Sequence, residues 1–162
     1  MDKAAYVRGS NLPVSTKHCR EIARFIKGKE VSRAITLLEQ VVAQKTAVPF
    51  RRFNRDVGHR PGHVGPGRYP EKASRMVISL LKSLVANAQQ KGLDVKSLCI
   101  ASAIANIASR PARYGRHRRR VTKRSHFEIT AVEKETKIEP RAEKPQAQQQ
   151  QKKPAHKMEK KQ

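Results

Sequence analysis

The sequence predicts an α+β chain in which three amphipathic helices precede a long β-hairpin and a polar tail. Three observations carry that reading. Apolar residues recur at helical spacing in three stretches between residues 15 and 90. Two alternating runs then flank a turn-rich connector between residues 98 and 132. Finally, the composition changes abruptly after Glu133.

The first helix is expected to begin after Ser15 or Thr16, both good N-caps, and to end near Gly28. Cys19, Ile22, Ala23 and Ile26 then share one inward face. A second helix covers Ser32 to Lys45, with Ala34, Ile35, Leu38, Val41 and Val42 inward. The third runs from about Pro70 to Gln90 and has the clearest pattern. Ala73, Met76, Val77, Leu80, Leu81, Leu84, Val85 and Ala88 step alternately by three and by one. Pro70 suits its first turn, and Gly92 suits the stop.

From Leu98 the period becomes two. Leu98, Ile100, Ser102 and Ile104 form one face of a strand, and Cys99, Ala101, Ala103, Ala105 and Ile107 form the other. Alanine is a poor strand former, so the assignment leans on the partner run, where Phe127, Ile129 and Ala131 alternate with Glu128, Thr130 and Val132. If both strands continue into the connector, Ala108 to His126, each arm holds on the order of 12 residues and reaches ~40 Å. A domain of this size has a radius of gyration of ~13–15 Å, so such a hairpin would project from the body.

Residues 1–133 are expected to form one domain, with the hairpin at about 98–133 and a basic insert at about 46–69. Residues 134–162 contain four consecutive glutamines and three prolines, with one Ile and one Met as the large apolar residues. That segment is expected to stay disordered unless a partner orders it.

The charge speaks to partners. The 162 residues include 36 Lys and Arg against 13 Asp and Glu, a formal net charge of +23. The tail holds nine basic and four acidic residues, so +18 remains with residues 1–133. Such an excess calls for a polyanion, with nucleic acid first and an acidic membrane second. No run approaches the ~20 apolar residues needed to span a bilayer. Met1 to Val14 lacks the apolar core of a signal peptide, and the C-terminus carries no lipidation box. A soluble, intracellular chain is the expectation. Cys19 and Cys99 are far apart in sequence, which favours two buried free thiols over a disulfide or zinc site.

Arg110, Arg113, Arg116, Arg118, Arg119, Arg120, Lys123 and Arg124 crowd the connector, and no acidic residue lies among them. Seven of these eight are arginine, whose planar, weakly hydrated fork suits phosphate oxygens and stacks on bases. A merely solvated face would accept lysine as readily, and like charges this dense repel without a counterion. The insert is a second basic site, where Arg51, Arg52 and Arg55 interleave with Phe50 and Phe53. Those rings suit either base stacking or anchoring of the loop to the core. Arg60 and Arg68 flank a Gly-rich stretch that would let backbone approach a phosphate.

Catalytic and metal chemistry find little support. His59 and His63 stand four apart, but Pro61 and Gly62 between them argue against a helix, and no second ligand pair follows. Neither a metal nor a cofactor is expected. Glu21, Glu30, Glu39, Glu71 and Asp94 read as helix-surface, first-turn or cap positions, and no carboxylate cluster suggests phosphodiester chemistry. No enzymatic activity is expected.

The connector Pro111-Ala-Arg-Tyr-Gly115-Arg-His-Arg-Arg-Arg-Val-Thr-Lys123-Arg-Ser125-His126, followed by a strand, closely resembles the hairpin signature of the universal large-subunit ribosomal protein L-twenty-two family. Arg8-Gly-Ser-Asn-Leu, Ile26-Lys-Gly-Lys, Val48-Pro-Phe-Arg-Arg-Phe-Asn and Lys91-Gly-Leu-Asp-Val resemble its archaeal and eukaryotic branch, called L-seventeen in eukaryotes. The resemblance covers residues 8 to 133. It implies three helices packed on a small antiparallel sheet, with the hairpin running through ribosomal RNA to line the nascent-peptide exit tunnel. It also implies a cytoplasmic, structural component of the large subunit that binds rRNA during assembly and sits beside other proteins near the tunnel exit. The tunnel-approaching tip would be Arg110, Pro111, Ala112, Arg113, Tyr114, Gly115, Arg116 and His117, and the arm from Arg118 to His126 would return along RNA. Lys17, Lys27, Lys29 and Arg8 join the arginines already named as expected rRNA contacts. The insert from Thr46 to Tyr69 is absent from the bacterial pattern, and its middle also differs from eukaryotic members.

The rival reading is an architectural DNA-binding protein, which clasps a minor groove with basic arms and apolar wedges. Here the arm tip offers only Pro111 and Tyr114 for that purpose. Such proteins usually dimerise, whereas no homo-oligomer is expected of this chain.

Overall fold

The computed structural model describes residues 4–133, so the expected disorder of the tail concerns residues outside the described ones. In chain order come β1 (Ala4–Leu12), α1 (Thr16–Ile26), α2 (Val31–Val42), β2 (Val48–Pro49), β3 (His59–Arg60), β4 (Gly65–Arg68), α3 (Glu71–Gln90), β5 (Leu98–Ile107) and β6 (Ser125–Glu133). The result is the expected α+β arrangement, with three helices and small antiparallel sheets.

The main sheet has the order β1-β6-β5, with both pairings antiparallel. β6 is central, and its inward residues Phe127, Ile129 and Ala131 are fully buried. α3 packs on β1 and on α2, while α1 packs on β5. The enclosed core includes Ile22, Ile26, Leu38, Val77, Leu81, Leu84, Leu98 and Ile100, and each such side chain stabilises the fold by ~1.5–3 kcal/mol.

β1 was not predicted. Its inward residues are Ala5, Val7 and Gly9, too small to give a strand-like apolar signal. Close approach explains the glycine: a Cβ at Gly9 would meet Leu80 Cδ1 of α3 at 2.9 Å.

The expected strict alternation of β5 needs correction. Opposite β6, Ile100 pairs with Ala131 and Ser102 with Thr130, so Ala101 is an extra residue in a β-bulge. Before the bulge Leu98 and Ile100 are buried; after it Ala105 is, and Ile104 turns outward at 48 % exposure. The face therefore switches within the strand.

Beyond β5 and β6 the antiparallel ladder continues irregularly. Ala108 N–H donates to Arg124 O, Thr122 N–H to Pro111 O, and Arg113 N–H to Arg120 O. An isolated bridge joins Ala112 to Val121, and a short 3₁₀ turn occupies Gly115–His117.

Residues 46–69 also differ from expectation, since they hold a second small sheet, ordered β2-β4-β3, rather than loop alone. Gly67 lies within it, and a Cβ there would meet Ala47 Cβ at 3.2 Å and Arg60 Cγ at 3.1 Å. That glycine serves strand packing instead of an approach to phosphate. α2 begins one residue earlier than expected and ends at Val42, so Ala43 to Lys45 fall outside it, and Val42 itself is half-buried. Cys19 is buried as expected, but Cys99 is only half-buried.

Candidate nucleic-acid interface

The candidate interface is built around the start of α1. Helix α1 turns Cys19, Ile22 and Ile26 into the core, which leaves Lys17, Arg20, Arg24 and Lys27 on the opposite, exposed side. The insert is fastened to the same helix through its aromatic rings. Phe50 is 2 % exposed and packs with Val41 and Val48, so its ring anchors the insert and does not stack on bases. Phe53 is half-buried against that cluster.

The largest correction to the sequence reading is Glu21. It was expected at a helix surface, yet it is 2 % exposed. Its carboxylate accepts the backbone N–H groups of Arg51 at 3.2 Å, Arg52 at 2.9 Å and Phe53 at 3.1 Å. With the N–H groups turned inward to this carboxylate, the side chains of Arg51 and Arg52 stay in solvent. A buried acid thus sets the orientation of two exposed arginines.

Several cations rest on the anchoring rings, which fixes their stems without neutralising them. Lys17 Nζ lies 5.7 Å from the Phe53 centroid and the Arg52 guanidinium 5.8 Å from it. Arg68 lies 6.0 Å from the Phe50 centroid, and Arg60 lies 5.1 Å from that of Tyr69. Arg60 Nε also donates to Gly67 O, so part of its role is internal.

His18 records the field at this place. Its imidazole stands edge-on to Phe50, with centroids 5.6 Å apart. Burial first, then the charges of Arg68 and Lys123, hold it below its ordinary pKa. The end of the insert and the returning arm of the connector therefore flank the same turn of α1. Burial also pushes the Cys19 thiol up, against a partly compensating contact of 3.4 Å with Ser125 Oγ.

The connector itself is exposed from Ser109 to Val121, leaving aside His117. Arg110, Arg113, Arg116, Arg118, Arg119, Arg120 and Lys123 all reach solvent, Arg124 is half-buried, and Tyr114 is 97 % exposed. Gly115, Arg116, Arg118, Arg119 and Arg120 together line one open concavity at its end.

Other expected contact residues lie elsewhere. Arg8 is on the outer face of β1 and pairs with Glu128 at 3.2 Å. Lys29 donates to Phe25 O at 2.7 Å and covers the Phe25 ring, which makes it largely a structural residue. His126 accepts the Asn11 N–H through Nδ1. Arg55 is exposed, and Lys27 lines a groove with Arg20, Arg24 and Ala103 to Asn106. Arg20 and Arg24 were missed, although their i, i+4, i+7 spacing with Lys27 was available as a signal. Among the described residues, no three His, Cys, Asp or Glu side chains gather to hold a metal, and no helix is long and apolar enough to cross a membrane.

Comparison with known proteins gives this basic architecture a family. The model of the family described as ribosomal protein L22p/L17e matches residues 7–136. A protein of Methanothrix thermoacetophila named large ribosomal subunit protein uL22 is 48 % identical over 101 residues, covering 61 % of this chain. The matched stretch spans 66 % of that relative, just under two thirds of its length. The protein of the same name from Archaeoglobus fulgidus is 48 % identical over 103 residues, covering 62 % of this chain and 66 % of its own. Large ribosomal subunit protein uL22A of Saccharomyces cerevisiae is 38 % identical over 151 residues, covering 88 % of this chain and 82 % of its own. With a family match over most of its length and relatives in both archaea and yeast, the chain belongs to the ribosomal protein L22p/L17e family.

Proposed function

We propose that this chain, a large-subunit ribosomal protein by kind, binds large-subunit rRNA in cytoplasmic ribosomes through the connector and the face around α1. It supports subunit assembly and remains as a structural component with no enzymatic activity. Its connector passes through the RNA, and the tip, Arg110 to His117, lines the nascent-peptide exit tunnel and meets the nascent peptide in passing. The body contacts neighbouring large-subunit proteins near the tunnel exit.

The observation that carries the reading is the connector. Seven arginines and one lysine fall between Arg110 and Arg124 without an acidic residue. They stand on a ladder that leaves the core at Ile107 and Ser125. Few packing contacts are at stake there, so the charge serves something outside the chain. Arginine forks on phosphate and an exposed Tyr114 fit single-stranded and looped RNA.

Reversing Arg118, Arg119 and Arg120 together to Glu tests this. Each phosphate neutralised contributes roughly −0.7 to −0.9 to the slope of log K against log salt. Losing three contacts then costs about 100- to 500-fold between 1 M and 0.1 M salt, by the same slopes. Filter binding to large-subunit rRNA is expected to show at least that loss, with unchanged thermal melting. An unchanged affinity refutes the reading, and equal wild-type affinity for duplex DNA favours an architectural protein.

A further inference from the structure

We propose that the free edge of β5, beside the cationic flank of α1, takes an extended acidic segment of another protein as a fourth strand of the main sheet. This rests on the reading above that the body contacts neighbouring large-subunit proteins, and it names the surface and the chemistry. β5 is an edge strand in the order β1-β6-β5. Its first half is already paired on the outer side. Gly28 N–H donates to Ile100 O and Ile100 N–H to Lys29 O, both at 2.9 Å, and Glu30 bridges to Cys99. That pairing stops at the bulge.

Past the bulge the edge is open. Ala108 N–H donates inward to Arg124 O, whereas Ala105 O points outward and accepts Arg20 Nε at 3.3 Å. Bonding direction alternates along a strand, so Ala103, Ala105 and Ile107 turn their N–H and C=O groups away from β6. Arg20 meets one of these groups, and among the described residues no backbone group pairs with the rest. Such an edge is ordinarily blunted by charge or by proline. Here neither a charged residue nor a proline falls between Lys96 and Arg110, in a chain where 30 % of residues are charged. Ile104 and Ile107 are exposed on the same stretch. An edge of this kind needs a cover.

Charge selects the cover. Arg20, Arg24 and Lys27 of α1 line one groove with Ala103 to Asn106, and no carboxylate lines it. The three cations follow one another at about 4.5 to 6 Å along the helix axis. Alternate side chains of a strand stand about 6.6 Å apart, so an acid at every second residue meets one cation each. A docked strand donates its own N–H to Ala105 O and releases Arg20 to pair with a carboxylate. Phosphates suit the cations but bring no donors for the outward carbonyls, whereas a peptide backbone supplies donors and acceptors in alternation. A second copy of this chain would set the same cations against these.

The test uses large subunits assembled with the full chain, carrying Asn106→p-benzoylphenylalanine in the groove. Irradiation is expected to give an adduct that survives ribonuclease. Mass spectrometry of that adduct is expected to return a segment of another protein with more Asp and Glu than Lys and Arg. Ala103→Pro removes one outward N–H and leaves the bonds to β6 in place. It is expected to cut the adduct yield about 5-fold or more, with filter binding to large-subunit rRNA unchanged. Should that variant melt early, Ile104→Glu sets a like charge on an exposed side chain of the groove and is expected to cut the yield in the same way. An adduct removed by ribonuclease puts RNA in the groove, and an adduct of the chain with itself puts a second copy there. Either of these, a basic segment, a yield that the folded variants leave unchanged, or no adduct at all overturns the fourth strand and leaves the rRNA reading standing. A chain that does not enter large subunits brings down both.

Discussion

Replacing Glu21 by alanine is expected to destabilise the fold by about 3 kcal/mol and to loosen the turn that presents Arg51 and Arg52. The carboxylate is 2 % exposed and accepts three backbone N–H groups at 2.9–3.2 Å. A hydrogen bond to a charged group contributes ~1.5–3 kcal/mol when its loss leaves the donor buried. Arg51 and Arg52 are exposed, however, so their freed N–H groups regain water. We therefore take about 1 kcal/mol per bond, the ordinary net value. Glu21→Gln keeps one carbonyl oxygen for Arg52 and Phe53 but turns an amide toward Arg51, so about 1–2 kcal/mol is expected. In urea titrations with a slope of ~2 kcal/mol/M, the alanine variant shifts the midpoint down by about 1.5 M. It also weakens rRNA binding, because the two arginines lose their fixed bearing. An alanine variant within about 0.5 kcal/mol of wild type refutes the claim that this buried acid holds the insert.

Two further changes probe the core and the α1 end. Ser74 is fully buried in α3, and its Oγ has no hydrogen-bond partner among the described residues; Ser74→Ala removes a stranded hydroxyl and adds helix propensity, for a gain of about 1 kcal/mol. A clear loss on denaturant titration would mean that the hydroxyl is satisfied. His18 gives a pH dependence: its folded pKa lies below the ordinary value of about 6.5, first through burial and then through Arg68 and Lys123. The stability it contributes is thus present above about pH 6.5 and is lost as pH falls through the folded value. Urea midpoints are expected to fall more for wild type than for His18→Gln between pH 7.5 and pH 5, and parallel declines would contradict this.

The elements most legible in the sequence were those with large apolar residues at a fixed period. The three-and-one spacing from Ala73 to Ala88 gave α3, of which Ala73, Val77, Leu81, Leu84 and Ala88 are buried. Phe127, Ile129 and Ala131 gave the central strand. β1 was illegible because its inward face holds small residues, Ala5 and Gly9, at the very positions where size carries the signal. The β5 bulge was hidden because an extra alanine in an alanine-rich strand leaves no mark in composition.

At the candidate site the arginine run announced itself through density and the lack of acids. Its meeting with Lys17 is tertiary, across a cavity that Lys17 shares with Arg110, Lys123 and Arg124, while Phe50 lies under Arg68 and Glu21 holds the turn at Arg52. A glutamate buried for its hydrogen bonds looks the same in sequence as one on a helix surface. Phe50 was likewise ambiguous, since a ring next to two arginines suits either a base or a core, and the deciding partner Val41 comes from α2.

The central claim is that the chain is held in the large ribosomal subunit by its RNA contacts. Sucrose-gradient sedimentation of a cell lysate at moderate salt, probed for this protein, tests it most directly. The expected result is stoichiometric migration with large subunits for wild type, and displacement into the low-mass fractions for the Arg118, Arg119 and Arg120 reversal. Wild-type protein found in a low-mass pool or with chromosomal DNA would contradict the claim.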